Sequence, residues 1–145
     1  MRDFNIYLCG GMGKFGKDNF DEGNMWREYV TKVLEESIFA KYHVYCCNPN
    51  HYYNFLDDTT YDSEREIMNF DIRKVKKSDL IIVYYNDPSS IGSACELAIA
   101  HDHNIPIIGI KDKDTELHPW LVEMTDKMFT DMDKLLDYVK EFYLF

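Results

Sequence analysis

The stretch DLIIVYYNDPSSIG, Asp79 to Gly92, decides the fold. Its first half is a continuous apolar run of strand length, the pattern of a strand buried on both faces of a parallel sheet. Its second half is a turn of small and polar residues leading into a helix over 90–103. IPIIGI, residues 105–110, repeats the buried-strand pattern directly after that helix. Strand, helix and strand in succession make a crossover unit, and the chain extends it both ways. Upstream, FNIYLC reads as a first strand and residues 24–37 as a helix with Met25, Tyr29, Val33 and Leu34 on its apolar side. YHVYCC, residues 42–47, reads as a second strand, and Asn48 to Tyr61, without a period, as a long loop. Asp62-Ser63 caps a helix running to Lys77, with Ile67, Met68, Phe70 and Val75 turned inward. Downstream come a short helix, a brief strand at Lys127–Phe129 and an amphipathic helix over Asp131–Phe142.

These elements predict a three-layer α/β sandwich with a five-stranded parallel sheet in the flavodoxin/Rossmann-like order 2-1-3-4-5, one domain over residues 1–145. In that order the connections after strands 1 and 3 leave in opposite directions and open a crevice at the strands' carboxyl ends, where ligands bind. The small-residue turns CGGMG and NDPSSIGS follow those two strands. Fold logic thus gathers Cys9–Gly13 and Asp87–Glu96 around one pocket.

Composition narrows the partners. The chain has 145 residues, 46% of them apolar, and a net charge of −10, which opposes nonspecific attraction to a nucleic acid polymer. A small anion remains compatible, because a few backbone N–H groups at a helix start hold a phosphate against the global field. The apolar run before Gly10-Gly11 is too short for a signal-peptide core or a membrane span, so a cytoplasmic protein is expected. Cys9, Cys46, Cys47 and Cys95 show no C-x-x-C spacing and read as reduced, buried thiols. No metal site and no cofactor are expected.

GMGKFGKD, Gly11 to Asp18, matches the triphosphate loop G-x-x-x-x-G-K-[ST] at Gly11, Gly16 and Lys17. It fails at Asp18, where a hydroxyl should hold magnesium and a carboxylate would repel the phosphates. Gly23 also interrupts the helix that such a loop should open.

Among single residues, Glu96 stands in SSIGSACELAIA, a helix start otherwise small and apolar. An acid there complements the helix dipole, but a buried carboxylate is costly without a task. Asp71, before the basic turn IRKVKK, reads alone as a solvated helix residue paired with Arg73 or Lys74; Asp79 reads as a strand cap and Tyr7 as strand packing. His101 and His103 suit the end of a helix.

Taken together, IYLCGGM at the first strand, FDIRKVKKSDLIIV into the third and SSIGSACELAIAHDHNIPIIGI after it resemble the nucleoside 2-deoxyribosyltransferase family, including its nucleoside 5'-monophosphate N-glycosidase branch. The resemblance covers most of residues 5–110. It implies that Glu96, four residues after Gly92, is the nucleophile at an N-glycosidic bond, that Tyr7 orients it, and that Asp71 serves the departing base. It further implies that Gly10, Gly11 and Gly13 let the backbone approach the sugar, with Lys14 adding charge, that Met12 and Gly92 also bind the substrate, and that Ser90 contacts a 5'-phosphate as in the N-glycosidase branch. That branch commonly has a serine where this chain has Gly11. The family's sites are completed by a neighbouring subunit after strand 4, which makes a homodimer or larger homo-oligomer expected and His118 a candidate contact. Two other readings stand beside this one: a noncatalytic nucleotide-binding or sensing module of the same fold, and a P-loop NTPase.

Overall fold

The computed structural model describes residues 1–11, 20–52 and 63–145. Its elements run β1 (Arg2–Gly10), α1 (Phe20–Glu36), β2 (Tyr42–Cys47), a 3-10 turn at Pro49–His51, α2 (Glu64–Lys76), β3 (Leu80–Tyr84), α3 (Ile91–Asp102), β4 (Ile107–Ile110), α4 (Pro119–Met124), β5 (Lys127–Phe129) and α5 (Met132–Phe142). The sheet has five strands in the order β2-β1-β3-β4-β5, and every pairing is parallel. The sandwich expected from the sequence is therefore the observed architecture.

Alternation along β1 divides the core. Ile6 and Leu8 pack with Trp26, Val30 and Leu34 of α1 and Leu135, Leu136 and Val139 of α5. Tyr7 and Cys9 point to the opposite face, toward Val75 of α2, Leu97 and Ala100 of α3 and Leu121 of α4. Side chains two apart share a face and neighbours do not, so Tyr7 is committed to the α2–α3 layer by its place in the strand.

Local chemistry fixes the helix ends near the crevice. The Ser63 hydroxyl accepts from Glu66 N and caps α2, acids fill its first turn, and Arg73, Lys74 and Lys76 fill its last. Asp62, the other half of the expected cap, lies outside the described residues. After α3, Asn104 takes the left-handed conformation at φ 59°, which asparagine tolerates and which turns the chain back toward β4.

Four sequence expectations need correction. The buried stripe of α1 is Trp26, Val30 and Leu34, whereas Met25 is 64% and Tyr29 45% exposed. The helix is turned by one residue, about 100°, from the expected face, and the Tyr29 hydroxyl donates instead to Asp133 at the start of α5. In α2 the expected Ile67 and Val75 do face inward, and Met68, one residue past Ile67, falls outside that stripe and is exposed. The segment expected as a loop from Asn48 opens with the 3-10 turn, capped by the Asn48 side chain. Cys95 is exposed, unlike buried Cys9, and all four cysteines are free.

Candidate active site

The crevice lies where β1 sends the chain to α1 and β3 sends it to α3, on opposite sheet faces. Its two turns are tied together: Asn86 Oδ1 accepts from Gly11 N at 3.0 Å and Asn86 Nδ2 donates to Gly11 O at 3.4 Å. A Cβ at Gly11 would stand 2.6 Å from Asp87 Cβ, so a serine at this position would clash with the β3–α3 turn. This closeness accounts for the departure at Gly11 from the usual serine.

Tyr7 of β1, Asp71 of α2 and Glu96 of α3 converge behind that tie. Tyr7 Oη, Asp71 Oδ1 and Glu96 Oε2 are all buried, and none has a hydrogen-bond partner among the described residues. Buried polar atoms are nearly always paired, because an unpaired one forfeits its water without recompense. Three orphans on three elements, all electrostatically coupled, mark a place arranged for something other than stability.

The ionisation of the cluster follows from its burial. Loss of water pushes Glu96 up from 4.5 to about 7; the Tyr7 hydroxyl draws it back, Asp71 pushes it further and Arg27 draws it down. Tyr7 and Glu96 act on each other through a near contact, since no bond of good geometry has formed between them. Burial likewise raises Asp71 to about 6, against the pull of Arg27. Tyr7 is held well above its ordinary value, first by burial and then by Glu96 and Asp71, so it is a neutral donor. With midpoints of about 6 and about 7 the pair holds close to one proton between those values, which gives it both an acid and a base in the same range.

Arg27, not anticipated from the sequence, is fully buried. It donates from Nε to Leu8 O at 3.2 Å, from Nη1 to Gly23 O at 3.0 Å and from Nη2 to Gly10 O at 2.9 Å. Its guanidinium lies 4.8 Å from the Trp26 ring. Gly10 makes room for this: a Cβ there would stand 3.1 Å from Trp26 Cζ2 and 3.2 Å from Arg27 Nη2. The space left by the missing side chain of Gly10 is thus already used by the protein itself. A signal existed, since Arg27 precedes Val30 by three and Leu34 by seven residues, on the edge of the true buried stripe. Beside it, at the end of β2, Asn24 Oδ1 accepts from both Asn48 Nδ2 and Asn50 Nδ2 at 2.9 Å, a buried amide network also missed.

The remaining expected contacts are distributed as follows. Ser90 caps α3, accepting from Ser93 N at 3.3 Å and donating to Ser93 Oγ at 3.0 Å. Gly92, in the first turn, faces open space, with nothing within 4 Å of where its Cβ would be. His118 is exposed in the β4–α4 connection and caps α4, its Nδ1 accepting from Trp120 N at 3.1 Å. Met12 and Lys14 lie outside the described residues, as does all of GMGKFGKD except Gly11. Among the described residues no group of three His, Cys, Asp or Glu is placed to hold a metal, and no helix is long and apolar enough to cross a membrane. A cleft of about 460 Å³ lies elsewhere, against the start of β2 and the end of α1, at the opposite end of the strands from the crevice.

Known structures share this fold. A 2-deoxyribosyltransferase from Leishmania mexicana superposes with a TM-score of 0.68 at 17% identity, covering 97% of this chain and 99% of its own. The 2-deoxyribosyltransferase of Bacillus psychrosaccharolyticus gives 0.66 at 15% identity, over 92% and 91% of the two chains. The chain has the fold of the 2-deoxyribosyltransferases. A CMP N-glycosidase from Clostridium botulinum, BcmB, shares it at a TM-score of 0.53 and 14% identity, over 95% of this chain and 98% of that one. No family model and no curated protein matches the sequence.

Proposed function

We propose that the protein is an enzyme that cleaves, or transfers at, the N-glycosidic bond of a (deoxy)nucleoside or its 5'-monophosphate, with Glu96 as nucleophile. The observation that carries this reading is the convergence of three buried, unpartnered groups, Tyr7 Oη, Asp71 Oδ1 and Glu96 Oε2, beside the crevice of this fold. Neighbours of the same fold that act at this bond support it.

In the first step an oxygen of ionised Glu96 bonds to the anomeric carbon as the bond from that carbon to the base nitrogen breaks. The bond's electron pair leaves with the base, which takes a proton from Asp71. Tyr7 donates to Glu96 and fixes the direction of attack. In the second step water, or an acceptor base, attacks the same carbon; its proton passes to Asp71 and Glu96 departs as carboxylate. Both roles call for carboxyls that titrate near neutrality, which burial provides; with Asp71 at about 6 and Glu96 at about 7 the single proton of the pair favours Glu96, so the reactive form is the minor one in which Asp71 holds it.

Gly92 offers the sugar an open backbone approach. At the start of α3 the Ser90 proton, now given to Ser93 Oγ, turns toward a 5'-phosphate while the Ser90 oxygen keeps its cap on Ser93 N. Exposed Trp120 and Val122 beside His118 form the face on which a second copy of the chain would complete the site. Incubation with a panel of nucleosides and 5'-monophosphates, followed by chromatography for free base, tests the proposal. Release of base by the parent and none by Glu96→Gln is the expected result, and no release from any member of the panel would refute it.

A further inference from the structure

A buried guanidinium normally sits against a carboxylate, since its charge is expensive to remove from water. Among the described residues Arg27 does not: its three hydrogen bonds there go to main-chain carbonyls. Those carbonyls, Leu8, Gly10 and Gly23, bracket the end of β1 and the connection that leaves it. The side chain starts in the α1 layer and closes over the strand end, whereas Tyr7, Asp71 and Glu96 belong to the α2–α3 layer. Gly10 leaves the fork its space, because any side chain there would press on Nη2 and on the Trp26 ring beneath it.

We infer that Arg27 is a positioning residue of this site: it fixes the end of β1 and holds, across the end of the sheet, the positive charge that balances the pair Asp71 and Glu96. The inference rests on the function proposed above for that pair. The groups facing the pair are Tyr7 and Cys9 on β1, Cys47 on β2, and Lys74 next to Cys47 on α2. Tyr7, Cys9 and Cys47 are all raised by burial and stay neutral, so they add no opposing charge of their own. Arg27 is the cation that draws both carboxyls down, against the effect of burial. Lys74 holds its ammonium over the Tyr52 and Phe70 rings, so with one carboxyl ionised the set of Arg27, Asp71 and Glu96 is electrically neutral, with one acid and one base. Without Arg27 the neutral set has both carboxyls protonated, and the nucleophile is lost.

The test is titration of the side-chain carboxyl carbons by NMR, assigned with Glu96→Gln and Asp71→Asn, in the parent, Arg27→Gln and Arg27→Lys. Removing an opposite charge that acts on a buried carboxyl moves its midpoint by about one pH unit or more, so both midpoints should rise by that much in Arg27→Gln. Arg27→Lys, which keeps the charge but not the fork, should rise by less than half as much while amide exchange at Gly10 and Gly11 quickens. In the enzyme assay the acid limb of kcat/KM should move with the NMR midpoints. If Arg27→Gln does not fold, Arg27→Met, which keeps the packing on Trp26, replaces it. Unmoved midpoints in the neutral variant, or equal rises in the lysine and neutral variants, would overturn the inference. Should the parent release no base at all, the proposed reaction fails, and the NMR titration still decides the role of Arg27.

Discussion

Replacing Glu96 by glutamine should abolish activity and, at the same time, stabilise the protein. The group's pKa is raised, from 4.5 to about 7, by burial without a partner. A carboxyl raised in this way favours the fold in its neutral form. Its contribution is complete below the unfolded value and is lost as pH climbs through the folded one, because the unfolded chain then ionises more readily. At about 1.36 kcal/mol per unit, a rise of about 2.5 units sets an upper bound of about 3 kcal/mol on what ionised Glu96 costs at pH 8. The side chain is only partly enclosed and shares its field with Asp71, which reduces the figure to about 1–2 kcal/mol. An amide keeps the shape and carries no charge, so Glu96→Gln escapes that cost. For a chain of this length the gain corresponds to about 3–8 °C in Tm at pH 8. At pH 4.5, where the parent carboxyl is already neutral, the two proteins should melt together. Thermal melts followed by circular dichroism at the two pH values measure this directly. A variant no more stable than the parent at pH 8 would refute the reasoning, because it would mean that the ionised carboxylate is well solvated or paired, as an ordinary helix-start acid is.

Other outcomes follow from the same geometry. Ser90→Ala should lower any preference for 5'-monophosphates over nucleosides by about ten- to a hundredfold, the worth of one hydrogen bond to a charged group, and should cost about 1 kcal/mol of stability through loss of the α3 cap, both read from kinetics and melts. The pH dependence of kcat/KM should be a narrow bell with its maximum between about 6 and about 7, since one carboxyl must be ionised and the other protonated; a flat profile from acid to alkaline pH would contradict the pairing. ATP and GTP with magnesium should neither raise the Tm nor release phosphate, given the carboxylate of Asp18 where a triphosphate loop needs a hydroxyl.

Much of the fold was legible because its strands are written in the plainest pattern. Leu80–Tyr84 and Ile107–Ile110 are buried on both faces, so a continuous apolar run had one reading, and β2 and β5 fell where expected. The phase of α1 was not legible: Met25, Tyr29 and Val33 form as good an apolar stripe as Trp26, Val30 and Leu34, and only the packed partner α5 selects between them. That error hid Arg27, whose charge suggested solvent. Tyr7, Asp71 and Glu96 each carried an ordinary explanation, and their meeting depends on contacts between residues far apart in the chain. It was the resemblance across three short motifs that singled them out. Gly10 illustrates a different limit, since a glycine that makes room for the protein's own side chains looks the same in sequence as one that makes room for a ligand.

The placement of Ser90 and Glu96 on one helix has a metrical consequence. Six residues at about 1.5 Å each set their Cα atoms about 9 Å apart along the axis of α3, and at about 100° per residue they also set the angle between them. The helix is therefore a gauge with two scales, axial and rotational, held at one end by the Ser90 cap and at the other by buried Leu97 and Ala100. The number of residues between Ser90 and Glu96 is fixed even where identity is free, as at exposed Ile91 and Cys95. A single deletion there would shorten the span by only about 1.5 Å, yet would swing the carboxyl about a quarter-turn away from Tyr7.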